Sequence, residues 1–363
     1  MILTNKSRPP STSPLPVPVV EMNSHLLPPP YNQGESPSLL KHAFIQPLCN
    51  ALLPEPTRST PQQSLTTPIP FGIDENDLPP IRVVCISDTH NATPPLPYGD
   101  ILVHAGDLTA HGTFDELQAQ LHWLSAQSHT HKIVIAGNHD LILDKECDDR
   151  SLMCSEEDSA IKRNKLDWSG IQYLQNEAVT LDVEQSLLNH STGEQDAVLR
   201  RVKIYGSPLT PEFGRWAFQY PAIRDVWTKA VPEDTDILVL HGPPALYGDC
   251  DGEKGPTGKP KIKGDGYLLR EVRRVQPKLV ICGHIHGAFG VAHIELDGVK
   301  DVRDTQQICW EGYSISRILK ALWSKVEVHS ACQPRQTLVV NAAFAPGTMS
   351  SKGKDAISVD LDL

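Results

Sequence analysis

The sequence predicts an α/β fold in which buried strands alternate with helices, preceded by a disordered proline-rich tail. Three observations carry this. Five short runs rich in Val and Ile each stop at polar, mostly ionisable residues; segments with apolar residues at helical spacing lie between some of them; and 17 of the 31 prolines fall in residues 1–80. Short continuous apolar runs read as strands buried on both faces. Interleaved with helices, such strands build layered α/β structures.

The elements follow in chain order. Residues 1–80 mix proline runs such as Pro28-Pro29-Pro30 with Ser, Thr and Gln and hold no sustained apolar period. Proline this dense removes backbone donors and blocks helix and central strand alike, so a disordered, partly polyproline-like tail is expected. Its LLPPP and PLPVP segments could serve a proline-reading domain as partner. Then Ile81–Ile86 leads into SDTHN, Ile101–Val103 into HAGD and Ile133–Ala136 into GNHD. Thr113 and Glu116 form a capping box ahead of Phe114, Leu117, Leu121 and Leu124, which predicts a helix over 113–127. Ile237–Leu240 leads into HGPP; Leu268, Leu269, Val272 and Val275 predict a second helix before Pro277; and Leu279–Cys282 leads into GHIHG. Residues 182–200 and 251–263 read as surface loops, and 305–328, with Ile315, Ile318, Leu319 and Leu322 on one face, as an inserted packing helix.

Composition narrows the function. Hydrophobic residues make up 39% and charged residues 21% of the 363, enough for a sizeable core. A net charge of −11 lacks the electrostatic footprint of a nucleic-acid binder. No stretch approaches the ~18 apolar residues of a membrane span, and MILTNKSRPPSTSPLP lacks the apolar centre of a signal peptide, so a soluble cytoplasmic protein is expected. The eight cysteines include no C-x-x-C pair and read as reduced structural thiols.

The chemistry sits at the strand ends, where loops of an α/β sheet converge on a ligand crevice. Asp88 and His90 lie in D-x-H, Asp107 in G-D, Asn138, His139 and Asp140 in G-N-H-D, His241 in H-G-P-P, and His284 and His286 in G-H-x-H. In an extended segment residues i and i+2 point the same way, which would aim Asp88 with His90, and His284 with His286, at one cavity. Oxygen and nitrogen donors without thiolate suit Mn, Fe, Zn or Co and argue against a structural zinc site. The donors exceed the needs of one ion, and two divalent ions sharing a carboxylate fit the count. Such pairs stabilise both attacking and leaving oxygens of a displacement.

These ordered motifs resemble the calcineurin-like metallophosphoesterase superfamily. IYGSPLTPEFGRWAF at 204–218, HGPP at 241–244 and VVNAA at 339–343 are similar to its metallophosphoesterase-domain-containing subgroup. The resemblance implies a four-layer αββα sandwich with two central mixed β-sheets, one domain over 81–345, and a C-terminal tail over 346–363. It implies that Asp88, His90, Asp107 and His286 hold one ion, and that Asp107 bridges to a second held by Asn138, His241 and His284. It also implies that a metal-bridging hydroxide attacks phosphorus in line, and that His139, not a ligand, contacts phosphate and protonates the leaving oxygen. Asp140, His104 and His111 are expected behind these residues or against substrate.

The implied activity is a phosphodiesterase acting on small phosphate esters such as cyclic nucleotides. Alternatives are a phosphomonoesterase or Ser/Thr-type protein phosphatase, a nuclease, and a non-catalytic scaffold. Two departures bear on the choice. The protein-phosphatase branch reads G-D-x-x-D-R-G where this chain reads GDLTAHG, so Ala110 and His111 replace the Asp that orients the catalytic histidine and the Arg that grips phosphate. His139 therefore needs another orienting partner. His286 is followed by Gly287-Ala288 where the subgroup often has Glu-Gly.

Overall fold

The computed structural model describes residues 78–146, 162–188, 193, 195–250, 252–254, 261–295, 336–345 and 353–363. The expected tail, except for its last three residues, and the expected helix over 305–328 lie outside them, as does part of the 251–263 loop. The elements are β1 (Ile81–Ile86), β2 (Ile101–Ala105), α1 (Phe114–Ser125), β3 (His131–Ile135), β4 (Gln172–Tyr173), β5 (Glu177–Leu188), β6 (Gln195–Ser207), β7 (Thr210–Pro211), β8 (Gln219–Tyr220), β9 (Ile237–Leu240), α2 (Gly266–Val275), β10 (Leu279–Cys282), β11 (Gly290–Glu295), β12 (Gln336–Asn341) and β13 (Ile357–Leu361).

Two mixed sheets result. One runs β13-β1-β2-β3-β4 and the other β11-β12-β10-β9-β6-β5. Strands β1 to β4 are parallel, with β13 antiparallel on the edge; β6, β9, β10 and β12 are parallel, with β5 and β11 antiparallel at the two edges. The period of two in a strand divides each run between two cores. Ile81, Val83 and Cys85 of β1 meet Ile237 and Val239 of β9 and Leu279 and Ile281 of β10 between the sheets. Val84, Ile86 and Leu102 face outward onto Leu117, Leu121 and Leu124 of α1. Leu238, Leu240 and Val280 face the other way onto Leu268, Leu269 and Val272 of α2. Helix, sheet, sheet and helix are the four expected layers.

The helices start where the sequence says. The Thr113 hydroxyl accepts from Glu116 N at the start of α1, and the Glu116 carboxylate accepts from Thr113 N. Asp265 caps α2 by accepting from Tyr267 N and Leu268 N. Cys85 and Cys282 are buried free thiols, as expected. No helix among the described residues is long and apolar enough to cross a membrane.

Two stretches depart from the sequence reading. The loop expected over 182–200 is mostly the β5–β6 hairpin, paired from Glu177 with Gly206 to Leu188 with Gln195. Leu181, Val183, Val202 and Ile204 point into the inter-sheet core. Farther along that same face come Gln185 and Arg200, both buried, with Arg200 donating to Gln185 at 3.1 Å. A polar pair inside and charged residues outside erase the alternation that would have marked the strands. The second departure is β13, which falls in the stretch expected as a C-terminal tail. It pairs antiparallel with β1, Ile81 opposite Leu361, and buries Val359 and Leu361.

Candidate metal centre

The parallel strands deliver their carboxyl ends to one place. β1 continues into Ser87, whose N–H donates to Ala342 O beyond β12 at 3.0 Å, joining the two sheets at that end. Two glycines let the loops close. A Cβ on Gly137 would lie 2.2 Å from Asp107 Oδ1 and 2.6 Å from His241 Cε1, and one on Gly283 would lie 2.1 Å from Asp88 Oδ2. Without that Cβ, His284 N donates to both Asp88 oxygens, at 3.1 and 3.0 Å.

The loops do not stay extended. Asp88, His90, Asp107 and His284 all take positive φ, at 54°, 43°, 55° and 63°, and His286 begins a short 3-10 turn. The i, i+2 rule therefore does not explain how D-x-H and G-H-x-H aim their side chains. Sharp turns at the strand ends do. Left-handed backbone costs a non-glycine residue about 1–2 kcal/mol, and such strain collects at functional sites where the surroundings over-determine it.

Three groups of donor atoms result, each within 4.8 Å: Asp88, His90 and His286; His90, Asp107 and His139; and Asp107, His241 and His284. His286 Nε2 lies 3.1 Å from Asp88 Oδ1 and 3.5 Å from His90 Nε2. Asp107 sits between the groups, Oδ1 at 3.3 Å from His241 Nε2 and Oδ2 at 3.8 Å from His90 Nε2. Asn138 Oδ1 is 3.0 Å from His241 Nε2. All seven expected ligands are thus brought together, with Asp107 shared.

The histidine tautomers show what this cluster is fit to hold. His90 Nδ1 faces Thr109 O at 3.1 Å, and His241 Nδ1 faces Ala105 O at 2.9 Å. A carbonyl can only accept, so each ring carries its proton on Nδ1 and, when neutral, turns an Nε2 lone pair to the cluster. This is the arrangement by which metal-binding histidines are oriented. At His241 it sets a lone pair against the oxygens of Asn138 and Asp107. Burial alone would push the His241 pKa down, but the Asp107 and Asp88 carboxylates push it up to about 9. The cluster calls for positive charge, a proton on His241 or a cation in its place. Burial raises the two carboxylates, yet His286 and His241 outweigh it at Asp88, and His241 and His90 at Asp107, so both stay below the usual range. Nitrogen and oxygen donors around two buried carboxylates fit divalent cations.

His139 lies in one of these groups, and its partner is now visible. Its Nδ1 donates to Ala110 O at 2.9 Å, and its N–H donates to Asp107 Oδ1 at 2.8 Å. The orienting acceptor is thus the backbone carbonyl of Ala110, the position at which the protein-phosphatase branch has its Asp side chain. Asp140 is a clamp between loops: Oδ1 accepts from Thr109 N and Oγ1, and Oδ2 from Leu108 N and Gly137 N. His104 is buried and bonds the Thr89 hydroxyl at 2.9 Å, and the exposed His111 pairs with Glu116 at 2.9 Å. Neither enters the three groups.

The sequence did not single out four residues that support the centre. Asn341 Nδ2 donates to the carbonyls of Gly248, Gly283 and Ile285, and Lys354 Nζ donates to His286 O. Both hold the loop that carries His284 and His286 from behind. Thr109 supplies the carbonyl that fixes His90, and Trp216 packs on His139 with ring centroids 4.2 Å apart. The VVNAA and GRWAF stretches contain Asn341 and Trp216 but say nothing of their contacts, and nothing in the sequence marks Lys354.

A family model described as calcineurin-like phosphoesterase matches residues 81–288. Metallophosphoesterase domain-containing protein 1, of Homo sapiens and of Mus musculus, is 37% identical over 241 residues, 64% of this chain and 68% of each relative. A UPF0046 protein of Caenorhabditis elegans is 32% identical over 219 residues, 59% of this chain and 66% of that protein. An Emericella nidulans protein named "Probable rhamnogalacturonate lyase C" is 36% identical over 296 residues, 77% of this chain. The chain spans about a quarter, 24%, of that protein's length, and the lyase name describes that protein alone. The family model runs from β1 past His286 and so contains every member of the three donor groups; the chain belongs to the calcineurin-like phosphoesterase family, with relatives among the metallophosphoesterase-domain-containing proteins.

Proposed function

We propose that this chain is a dinuclear-metal-dependent phosphoric ester hydrolase, a phosphodiesterase on small substrates such as cyclic nucleotides, its domain running from residue 81 through β13. Asp88, His90, Asp107 and His286 would hold one divalent ion and Asp107, Asn138, His241 and His284 the other. The observation that carries the reading is the set of carbonyl-fixed histidines turning Nε2 atoms toward two buried carboxylates. Bound there, two divalent cations supply Lewis-acid polarisation of the phosphoryl oxygens and make a water more acidic.

The chain's own part is the leaving group. His139 keeps one proton on Nδ1, committed to Ala110 O, so the acid is the ring protonated on both nitrogens: as the ester oxygen's bond to phosphorus breaks, Nε2 gives it a proton and the ring is left neutral with its proton on Nδ1. The N–H bond to Asp107 ties the ring's backbone to the shared carboxylate. Against a protein phosphatase stands the run GDLTAHG, which offers neither the orienting Asp nor the phosphate-gripping Arg. The preference for diesters comes from the resemblance of the 204–218, 241–244 and 339–343 stretches to the metallophosphoesterase-domain-containing subgroup.

Hydrolysis of bis(p-nitrophenyl) phosphate, of a cyclic nucleotide and of the matching monoesters by the Mn²⁺-loaded full chain tests the reading. His139→Ala is expected to keep its metal while kcat falls on the order of 10²–10⁴-fold, the usual share of general acid catalysis. The loss should be smaller for a nitrophenyl than for a nucleoside leaving group, because a good leaving group needs little protonation. An equal loss for both would confine His139 to contact with phosphate, and loss of metal would make it a ligand.

A further inference from the structure

The segment between β7 and β8 is pinned to the centre at its foot. Ala217 N donates to Asn138 O at 3.1 Å, and Phe218 N donates to Asp144 Oδ2 at 2.7 Å. Gln219 closes the loop on itself: its Oε1 accepts from Trp216 N at 3.2 Å and its Nε2 donates to Phe213 O at 3.2 Å. Ala217 and Phe218 are buried by this anchoring, while Trp216 remains 39% exposed and Phe213 80% exposed. The indole thus keeps part of its surface open to solvent on an anchored loop. Here it is held against His139, ring centroids 4.2 Å apart and planes tilted by 31°.

The position follows from the chemistry assigned to His139 and rests on that reading. A leaving oxygen that takes its proton from His139 Nε2 must lie within hydrogen-bond reach of it, about 3 Å. The group attached to that oxygen then lies beside the imidazole, whose ring neighbours are His90, edge-on at 4.8 Å between centroids, and the partly exposed indole of Trp216 at 4.2 Å; of these two the indole is the one that offers a large flat surface. Aromatic side chains favour flat partners through stacking, which puckered rings of equal size do not reproduce. We infer that Trp216 is a specificity-determining platform that selects phosphate esters whose leaving group carries a flat aromatic ring, aryl or nucleoside, over aliphatic ones.

A brace for His139 would affect all substrates alike; a platform discriminates. Calorimetric titration of the Mn²⁺-loaded full chain with the monomethyl esters of benzylphosphonate and cyclohexylmethylphosphonate separates the two, since the rings differ in flatness and little in size. The wild type is expected to bind the benzyl compound about 5- to 150-fold more tightly, the range of one stacked ring. Trp216→Ala should abolish the preference and Trp216→Phe keep most of it. In turnover, Trp216→Ala should lower kcat/KM for the benzyl methyl phosphodiester by about that factor more than for the cyclohexylmethyl diester. No ring preference in the wild type, or equal losses for both compounds in Trp216→Ala, overturns the inference while leaving the hydrolase reading standing. A binding preference lost in Trp216→Ala, in a chain that hydrolyses no phosphate ester at all, upholds Trp216 as an aromatic-binding surface but overturns the hydrolase reading and, with it, the assignment of that surface to a leaving group.

Discussion

His104 and His241 are both fully buried and feel the same carboxylates, yet they are driven in opposite directions. His241 lies 3.3 Å from Asp107, and that contact overcomes burial, so its pKa stands at about 9. Among the described residues His104 has its hydrogen bond to the Thr89 hydroxyl and no ion pair, and burial pushes it down to about 3. The folded state therefore refuses a proton that the unfolded chain takes up near pH 6.5. The stability contributed by neutral His104 is complete above pH 6.5 and is lost as pH falls toward 3, by up to about 1.4 kcal/mol per unit. His284, pushed down to about 4 by burial and the nearby His241, acts with the same sign. His241 loses its contribution as pH rises from 6.5 to 9, outside the acid window. Urea unfolding with chelator between pH 6.5 and 4.5 should show a shallower acid slope for His104→Gln than for wild type. An unchanged slope would mean that His104 is not held neutral by burial.

Among the elements, the loop from Gly283 to His286 shows how a motif depends on chain far from it. Its carbonyls are held by Asn341 at the end of β12 and by Lys354 just before β13. Lys354 also lies over the Phe289 ring, its ammonium 4.9 Å from the centroid. Lys354→Met should weaken Mn²⁺ binding at the group containing His286 by about 10- to 100-fold, the usual cost of losing a group that orients a ligand. Lys354→Arg, which keeps a donor and the cation over the ring, should recover most of it. Electron paramagnetic resonance titration of Mn²⁺ reads this without turnover, and full affinity in Lys354→Met would make the contact incidental. The loop itself was legible because G-H-x-H follows an apolar run that can only be a buried strand. Its support was not, since hydrogen bonds to backbone carbonyls leave no mark on the sequence of the loop that receives them. The turns at Asp88 and His284 were hidden for a related reason: the sequence advertises positive φ only where a glycine takes it.

On the scale of the whole molecule, both sheets present the ends of parallel strands to one crevice, and the seven donors arrive from five loops. The five strand ends could be read from order and spacing, because strands buried on both faces are continuous apolar runs; the two sheets, and which polar residues at those ends make up the seven, came from the resemblance. The sheet edges could not. The β5–β6 hairpin hides its inner face behind Gln185 and Arg200, and β13 is five residues long. Arg200 also binds the backbone oxygens of Pro79 and Leu363, at 2.8 and 2.7 Å, tying both ends of the described fold to one side chain. The central claim is that these loops build one two-ion centre around a shared Asp107. Metal analysis of gel-filtered full chain after Mn²⁺ loading tests it most directly. The account predicts two ions per wild-type chain and loss from both sites in Asp107→Asn, because a neutral amide cannot replace a charged bridge; two tightly held ions in Asp107→Asn would contradict it.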